Sequence, residues 1–153
     1  MLGTIGESKR MDTTVIADSV NLASRLEGLT KIYGARVLIS ESVTSELVNA
    51  DDISLRDLGL IAAKGKSKPT RVYEVLDADD DATKAAKLAD ISPFEHALAS
   101  FSAGDFAAAR DAFAAIAVRC PHDAAVAHYI ARSSALLLEP PQDWDGVDHM
   151  RLK

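Results

Sequence analysis

The run Thr13-Thr14-Val15-Ile16 is β-prone, and it passes within a few residues into a helical pattern in which Leu22, Leu26, Leu29 and Tyr33 recur at i, i+4, i+7 and i+11. A strand that feeds an amphipathic helix buries neither surface alone, so the chain must build a sheet for the helix to pack on. Asp18 or Ser19 caps the start of this helix, Glu27 and Lys31 pair on its surface, and Gly34 ends it. Upstream, Gly3-Thr4-Ile5-Gly6 is a second short β run behind the polar spacer Glu7-Ser8-Lys9-Arg10, so residues 1–17 read as two antiparallel strands. Downstream, Arg36-Val37-Leu38-Ile39 reads as a buried strand, Ser40 as the cap of a helix reaching about Val48, and Ile53 to Leu58 as another strand. A loop from Lys64 to Pro69 leads to a final strand, Arg71 to Leu76. The order ββαβαββ gives an α+β fold with a largely antiparallel sheet over residues 1–76.

Composition changes after Leu76. Asp77, Asp79, Asp80 and Asp81 cluster ahead of an Ala- and Lys-rich stretch, and residues 77–92 read as an acidic linker with some helix. From Pro93 the pattern is helical: Phe94, Leu98 and Phe101 share a face, Gly104-Asp105 breaks the run, and Phe106, Ala109, Phe113 and Ile116 form a second face before Pro121. Asp123 caps a third helix ending near Leu138. The spacing of Gly104, Ala109, Phe113 and Pro121 resembles the second half of a tetratricopeptide repeat, which makes residues 93–138 an all-α hairpin segment. Such units need about three copies to bury a continuous core, so this one is expected to pack on the α+β part or on a partner. Residues 139–153 form a tail in which Trp144, after Pro140-Pro141, is expected to dock on the helices.

The chain has 153 residues, 48% apolar, enough for one medium domain or two small ones. A net charge of −6 argues against a nucleic-acid surface or a polybasic membrane contact, so any phosphate site must be local. No stretch reaches the ~18 apolar residues needed to span a bilayer, and no signal-peptide layout opens the chain. The single Cys120 has no internal disulfide partner and fits a reducing compartment. Together these point to the cytoplasm.

Asn21 and Arg25 stand at i and i+4, on one face of the helix beside its anchoring stripe. A guanidinium fixed this way suits an oxygen that gains charge in phosphoryl transfer, and a neighbouring amide suits a hydroxyl or a ribose. Three lysines in five residues, Lys64, Lys66 and Lys68, make a local cationic loop around Gly65. His96, His122, His128 and His149 lack a metal-ligand spacing, and no Walker loop or dinucleotide fingerprint occurs.

The block Val15-Ile16-Ala17-Asp18-Ser19-Val20-Asn21-Leu22-Ala23-Ser24-Arg25-Leu26-Glu27, followed by Lys64-Gly65-Lys66, Leu58-Gly59 and Val72-Tyr73-Glu74-Val75, resembles the C-terminal half of a class III adenylate/guanylate cyclase catalytic domain over about residues 3–76. The resemblance implies a partial ferredoxin-like, cyclase-type sheet and the reaction of ATP to cyclic AMP and pyrophosphate in intracellular signalling. It implies that Asn21 orients the ribose and that Arg25 stabilises the pentavalent phosphorus. It further implies that Thr14 reads the purine edge, while Lys64 grips the terminal phosphates with Lys66 as the weaker candidate. Ala17 stands where the family usually has Gly. The family uses Mg or Mn, and its two metal-binding aspartates belong to strands that would precede Gly3. The expectation is a truncated enzyme, inactive alone, that forms a homo- or heterodimer whose other member supplies the metals. The alternative expectation is a non-catalytic module whose helical tail binds a protein partner.

Overall fold

A computed structural model of the chain describes residues 24–63 and 68–150. The two strands expected within residues 1–17 and the start of the first helix lie outside the described residues. Helix α1 covers 24–33; Leu29 and Tyr33 are buried and Leu26 packs against them, so the stripe faces the core. Gly34 closes α1 with φ +61°, and the Ala35 amide donates to the Thr30 carbonyl at 3.0 Å. That pairing is the six-residue closure that a glycine at this position permits.

Strand β1 (Leu38–Ser40) is followed by a single-turn helix α2 (Glu41–Thr44) and a 3₁₀ turn at Ala50–Asp52. The helix expected to reach Val48 stops early. It has no buried residue, and the Thr44 and Ser45 hydroxyls donate to the Glu41 and Ser42 carbonyls at 2.7 and 2.8 Å, so side chains compete for the backbone with no packing to oppose them. β2 (Leu55–Ala63) and β3 (Thr70–Val75) form an antiparallel hairpin, and β1 pairs antiparallel with β3 through Leu38↔Glu74 to Ser40↔Val72. A bulge interrupts β2 between Asp57 and Gly59. Gly59 sits at φ +97°, its amide donates to Asp57 Oδ1 at 2.7 Å, and a Cβ there would lie 3.0 Å from the Tyr129 hydroxyl. The Leu58-Gly59 pair therefore re-aims the strand and admits Tyr129, whose hydroxyl donates to the Leu58 carbonyl.

After a 3₁₀ turn at Leu76–Ala78, α3 (Asp81–Ala89) occupies most of the acidic stretch; Asp80 caps it by accepting from the Thr83 amide at 2.9 Å. Helices α4 (Ile91–Ser102), α5 (Phe106–Arg119) and α6 (Ala124–Leu138) follow. Asp105 and Asp123 cap α5 and α6 through the Ala108 and Ala125 amides. Trp144 docks edge-on against Phe101 and Phe106, at centroid distances of 5.4 and 4.9 Å, and its Nε1 donates to the Ser102 carbonyl at 2.9 Å.

The tail then adds a strand that the sequence pattern did not announce. β4 (Asp148–Met150) pairs parallel with β2 in the register Ile61↔Asp148 to Ala63↔Met150, giving the sheet order β1-β3-β2-β4. The architecture is α+β, with a mixed sheet whose first three strands are antiparallel. One buried cluster joins Leu29 and Tyr33 of α1, Leu58, Ile61 and Val72 of the sheet, and Phe94, Phe101, Phe113 and Tyr129 of the helices.

Candidate functional site

Of the expected site residues, Arg25 is the one that lies among the described residues; Thr14, Asn21, Lys64 and Lys66 lie outside them. Arg25 is half-buried on α1, one turn before Leu29. Because Leu29 and Tyr33 are locked in the core and Gly34 stops the helix, the backbone that carries Arg25 is held along its length. Lys64 and Lys66 fall in sequence between the end of β2 and the start of β3, and Lys68 beyond them is exposed. Arg71, near the start of β3, donates to Asp57 Oδ2 at 2.6 Å across the hairpin. That bond ties the two strands that flank the cationic connection, on the side where β2 bulges.

The C-terminal end of α1 is gripped by aromatic contacts. The Tyr33 ring meets His128 edge-on at 5.3 Å and stacks near Tyr129 at 6.4 Å, and its hydroxyl donates to Met150 Sδ at 4.0 Å. Burial, reinforced by the neighbouring Tyr129 phenol and the Asp148 carboxylate, pushes the Tyr33 phenol well above its ordinary pKa, so it acts as a hydrogen-bond donor and not as a base. Burial likewise raises Tyr129.

Sequence reasoning missed a buried ionic cluster between the sheet and the helices. Arg56 of β2 stands opposite Glu74 of β3 in register. Its Nε donates to Glu74 Oε2 at 2.8 Å, its Nη1 and Nη2 fork onto Asp123 at 2.6 and 3.2 Å, and its guanidinium lies 4.5 Å over the Phe94 ring. Lys87 of α3 donates to the other oxygen of Glu74 and to Asp79 Oδ2, the latter at 2.8 Å. Burial alone would lower the Arg56 pKa, but the bonds from Asp123 and Glu74 outweigh it and the group ends above its ordinary value. Lys87 behaves the same way, with Asp79 and Glu74 outweighing burial. Both cations are therefore charged in the folded state, and the cluster pins the hairpin, α3 and the start of α6 to one another. A second ionic group holds the tail: Asp148 accepts from His128 Nε2 and Arg132 Nε, each at 2.7 Å.

A cavity of about 390 Å³ lies between the end of α1, α3 and the α5–α6 connection, bordered by Tyr33, Ala86, Lys87, Cys120 and Ala124. Its charged border is already committed, Lys87 to Glu74 and Asp79, Asp123 to Arg56, and Arg119 to Asp90. Burial, with Asp90 adding to it, raises the Cys120 thiol, which disfavours the nucleophilic thiolate.

A divalent metal needs converging carboxylates or imidazoles. Among the described residues, no three of His, Cys, Asp and Glu come together in a way that could hold one. Asp57, Glu74, Asp79, Asp90, Asp123 and Asp148 are each bonded to a cationic side chain. The described donor set therefore does not fit the Mg or Mn that the sequence resemblance implied. Among the described residues, no helix is long and apolar enough to cross a membrane.

Over part of its length the chain is similar in sequence to proteins named adenylate cyclase. It is 47% identical over 76 residues, 49% of its length, to an adenylate cyclase of Anabaena cylindrica, and 41% identical over 76 residues, 50% of its length, to adenylate cyclase 1 of Rhizobium meliloti (strain 1021). It is also 28% identical over 133 residues, 86% of its length, to the terminal-differentiation specific adenylate cyclase of Dictyostelium discoideum. These stretches make up 15%, 11% and 6% of those proteins, so the chain spans a small part of each relative. A match that covers 86% of this chain has to run through its middle, and so through α3 to α5 as well as strands β1 to β3. No family model matches the chain, and no solved structure does.

Proposed function

We propose that this chain is the nucleotide-gripping part of a class III adenylate cyclase catalytic domain, corresponding to its C-terminal half, followed by a tetratricopeptide-like helical segment. In this reading the substrate is ATP. The ribose 3′-oxygen forms a bond to the α-phosphorus, the bond from that phosphorus to the pyrophosphate oxygen breaks, and the hydroxyl proton leaves to a base. Asn21 orients the ribose, and Thr14 meets the adenine edge. Arg25 donates to the oxygens of the five-coordinate phosphorus, where charge builds as the bonds exchange. Lys64, with Lys66 beside it, holds the terminal phosphates as a point charge. No step is assigned to a metal, because the described residues do not fit one.

The observation that carries this reading is the kinship with adenylate cyclases at 47% identity over half the chain, together with the placement of Arg25 on a helix anchored on the core at Leu29 and Tyr33. The site is completed by a second catalytic half, from another copy or another chain, and the product serves intracellular cyclic AMP signalling in the cytoplasm. The helical segment could also receive a protein partner, but through outward faces, since Phe106 and Phe113 are committed to the core.

Equilibrium binding of a non-hydrolysable ATP analogue tests the reading. The wild type is expected to bind, and Lys64→Ala to weaken binding by about tenfold, the value of one charge-assisted contact to phosphate. Identical weak binding by both proteins would count against a phosphate site.

A further inference from the structure

Arg25 and Tyr33 are eight residues apart on α1, about 12 Å along the helix axis. Whatever seats Tyr33 therefore fixes the far end of the helix that carries Arg25, while Leu29 anchors it one turn from that residue. Tyr33 is 1% exposed, and its seat is built from the His128 ring, the Tyr129 ring and Met150 Sδ. His128 and Met150 lead to a single carboxylate. His128 bonds Asp148, Asp148 is also held by Arg132, and Met150 is two residues beyond Asp148 on the same strand.

That strand is held otherwise by the burial of Met150 and of Val147 just before it. β4 has three residues at the sheet edge, paired parallel to β2 alone. A parallel pairing this short is weak by itself. The Asp148 side chain is 0% exposed, and a carboxylate out of water is tolerated only with partners. His128 and Arg132, one turn apart on α6, supply them. Their two bonds, with the burial of Met150, hold β4 at the edge of β2, and β4 brings Met150 to Tyr33.

We propose that Asp148 is a positioning residue for Arg25: clamped by His128 and Arg132, it holds β4 in place and through Met150 and His128 fixes the end of α1. This rests on the reading of Arg25 as the group that meets the reacting phosphorus. Asp148 itself touches no substrate; it acts through α1.

The test uses the full chain and a non-hydrolysable ATP analogue, comparing wild type, Asp148→Asn, Arg25→Ala and the double variant, with backbone amide exchange measured on each. Asp148→Asn is expected to weaken binding about fivefold and to speed exchange at residues 29–34 and 148–150. On the Arg25→Ala background the same change should weaken binding by less than about twofold, because the group it positions is already gone. Equal weakening in both backgrounds, or unchanged affinity with unchanged exchange at 29–34, overturns the proposal. If Asp148→Asn does not fold, Arg132→Gln, which leaves the His128 bond in place, is read by the same criteria. If wild type and Arg25→Ala bind alike, the role of Arg25 fails. The clamp on α1 is then judged by exchange alone: faster exchange at 29–34 in Asp148→Asn supports it, and no change overturns it.

Discussion

Replacing Arg56 with Met is the sharpest perturbation the core offers. Arg56 is 2% exposed and sits among Glu74 at 0% and Asp123 at 5%, so its loss strands carboxylates that water cannot reach. Lys87 still serves Glu74 and Asp79, but one cation would then face three anions: Glu74, Asp79 and Asp123. Removing one member of a buried ion pair typically costs about 3–5 kcal/mol, and Met restores only the packing of the arginine stem. For a chain of this size that is a fall in Tm of about 10 °C. Asp123→Asn should behave differently. It leaves two cations, Arg56 and Lys87, against two anions, Glu74 and Asp79, and Asn keeps an oxygen that can cap α6. Its expected cost is about 1 kcal/mol. Urea unfolding followed by far-UV circular dichroism, with the slope compared between variants, reads both. Arg56→Met within about 0.5 kcal/mol of wild type, or Asp123→Asn as damaging as Arg56→Met, would refute the reasoning that charge balance governs this cluster.

Acid should expose the Asp90–Arg119 pair. The bond from Arg119, at 2.8 Å, holds the Asp90 carboxyl below the usual carboxylate range, so its contribution to stability is full above the ordinary carboxylate pKa and is lost as pH falls through the lowered one. A stability–pH curve of Asp90→Asn should therefore be flatter than that of wild type on its acid limb, and parallel curves would contradict this. Gly34→Ala places a side chain at φ +61° with its Cβ 2.9 Å from that of Ala124, so a loss of more than about 1–2 kcal/mol is expected in thermal melts. Gly28→Ala, in the same helix with open space around its Cβ, should instead stabilise by about 0.5–1 kcal/mol.

Much of the helical layout is written locally. Asp105 and Asp123 mark the starts of α5 and α6 because their side chains satisfy the first free amides, and Gly34 marks the end of α1 because it alone accepts the left-handed turn. Strand β4 carries no such mark. Asp148-His149-Met150 has no β-prone composition, and its place is set by Asp148 meeting His128 and Arg132 and by Met150 entering the core. The Arg56 cluster is equally silent in sequence, since Glu74 and Asp123 stand 18 and 67 residues away. In the candidate site, the helical stripe that anchors Arg25 was legible from periodicity. Thr14, Asn21, Lys64 and Lys66, the rest of the expected site, lie outside the described residues.

The central claim is that Arg25 and Lys64 meet on one nucleotide, and amine labelling of Lys64 in the presence and absence of an ATP analogue, read by mass spectrometry, tests it most directly. The account predicts that the analogue slows labelling of Lys64 in wild type and that Arg25→Ala lifts the protection at the same analogue concentration. Labelling of Lys64 at one rate with and without analogue, at concentrations that saturate binding, would contradict it.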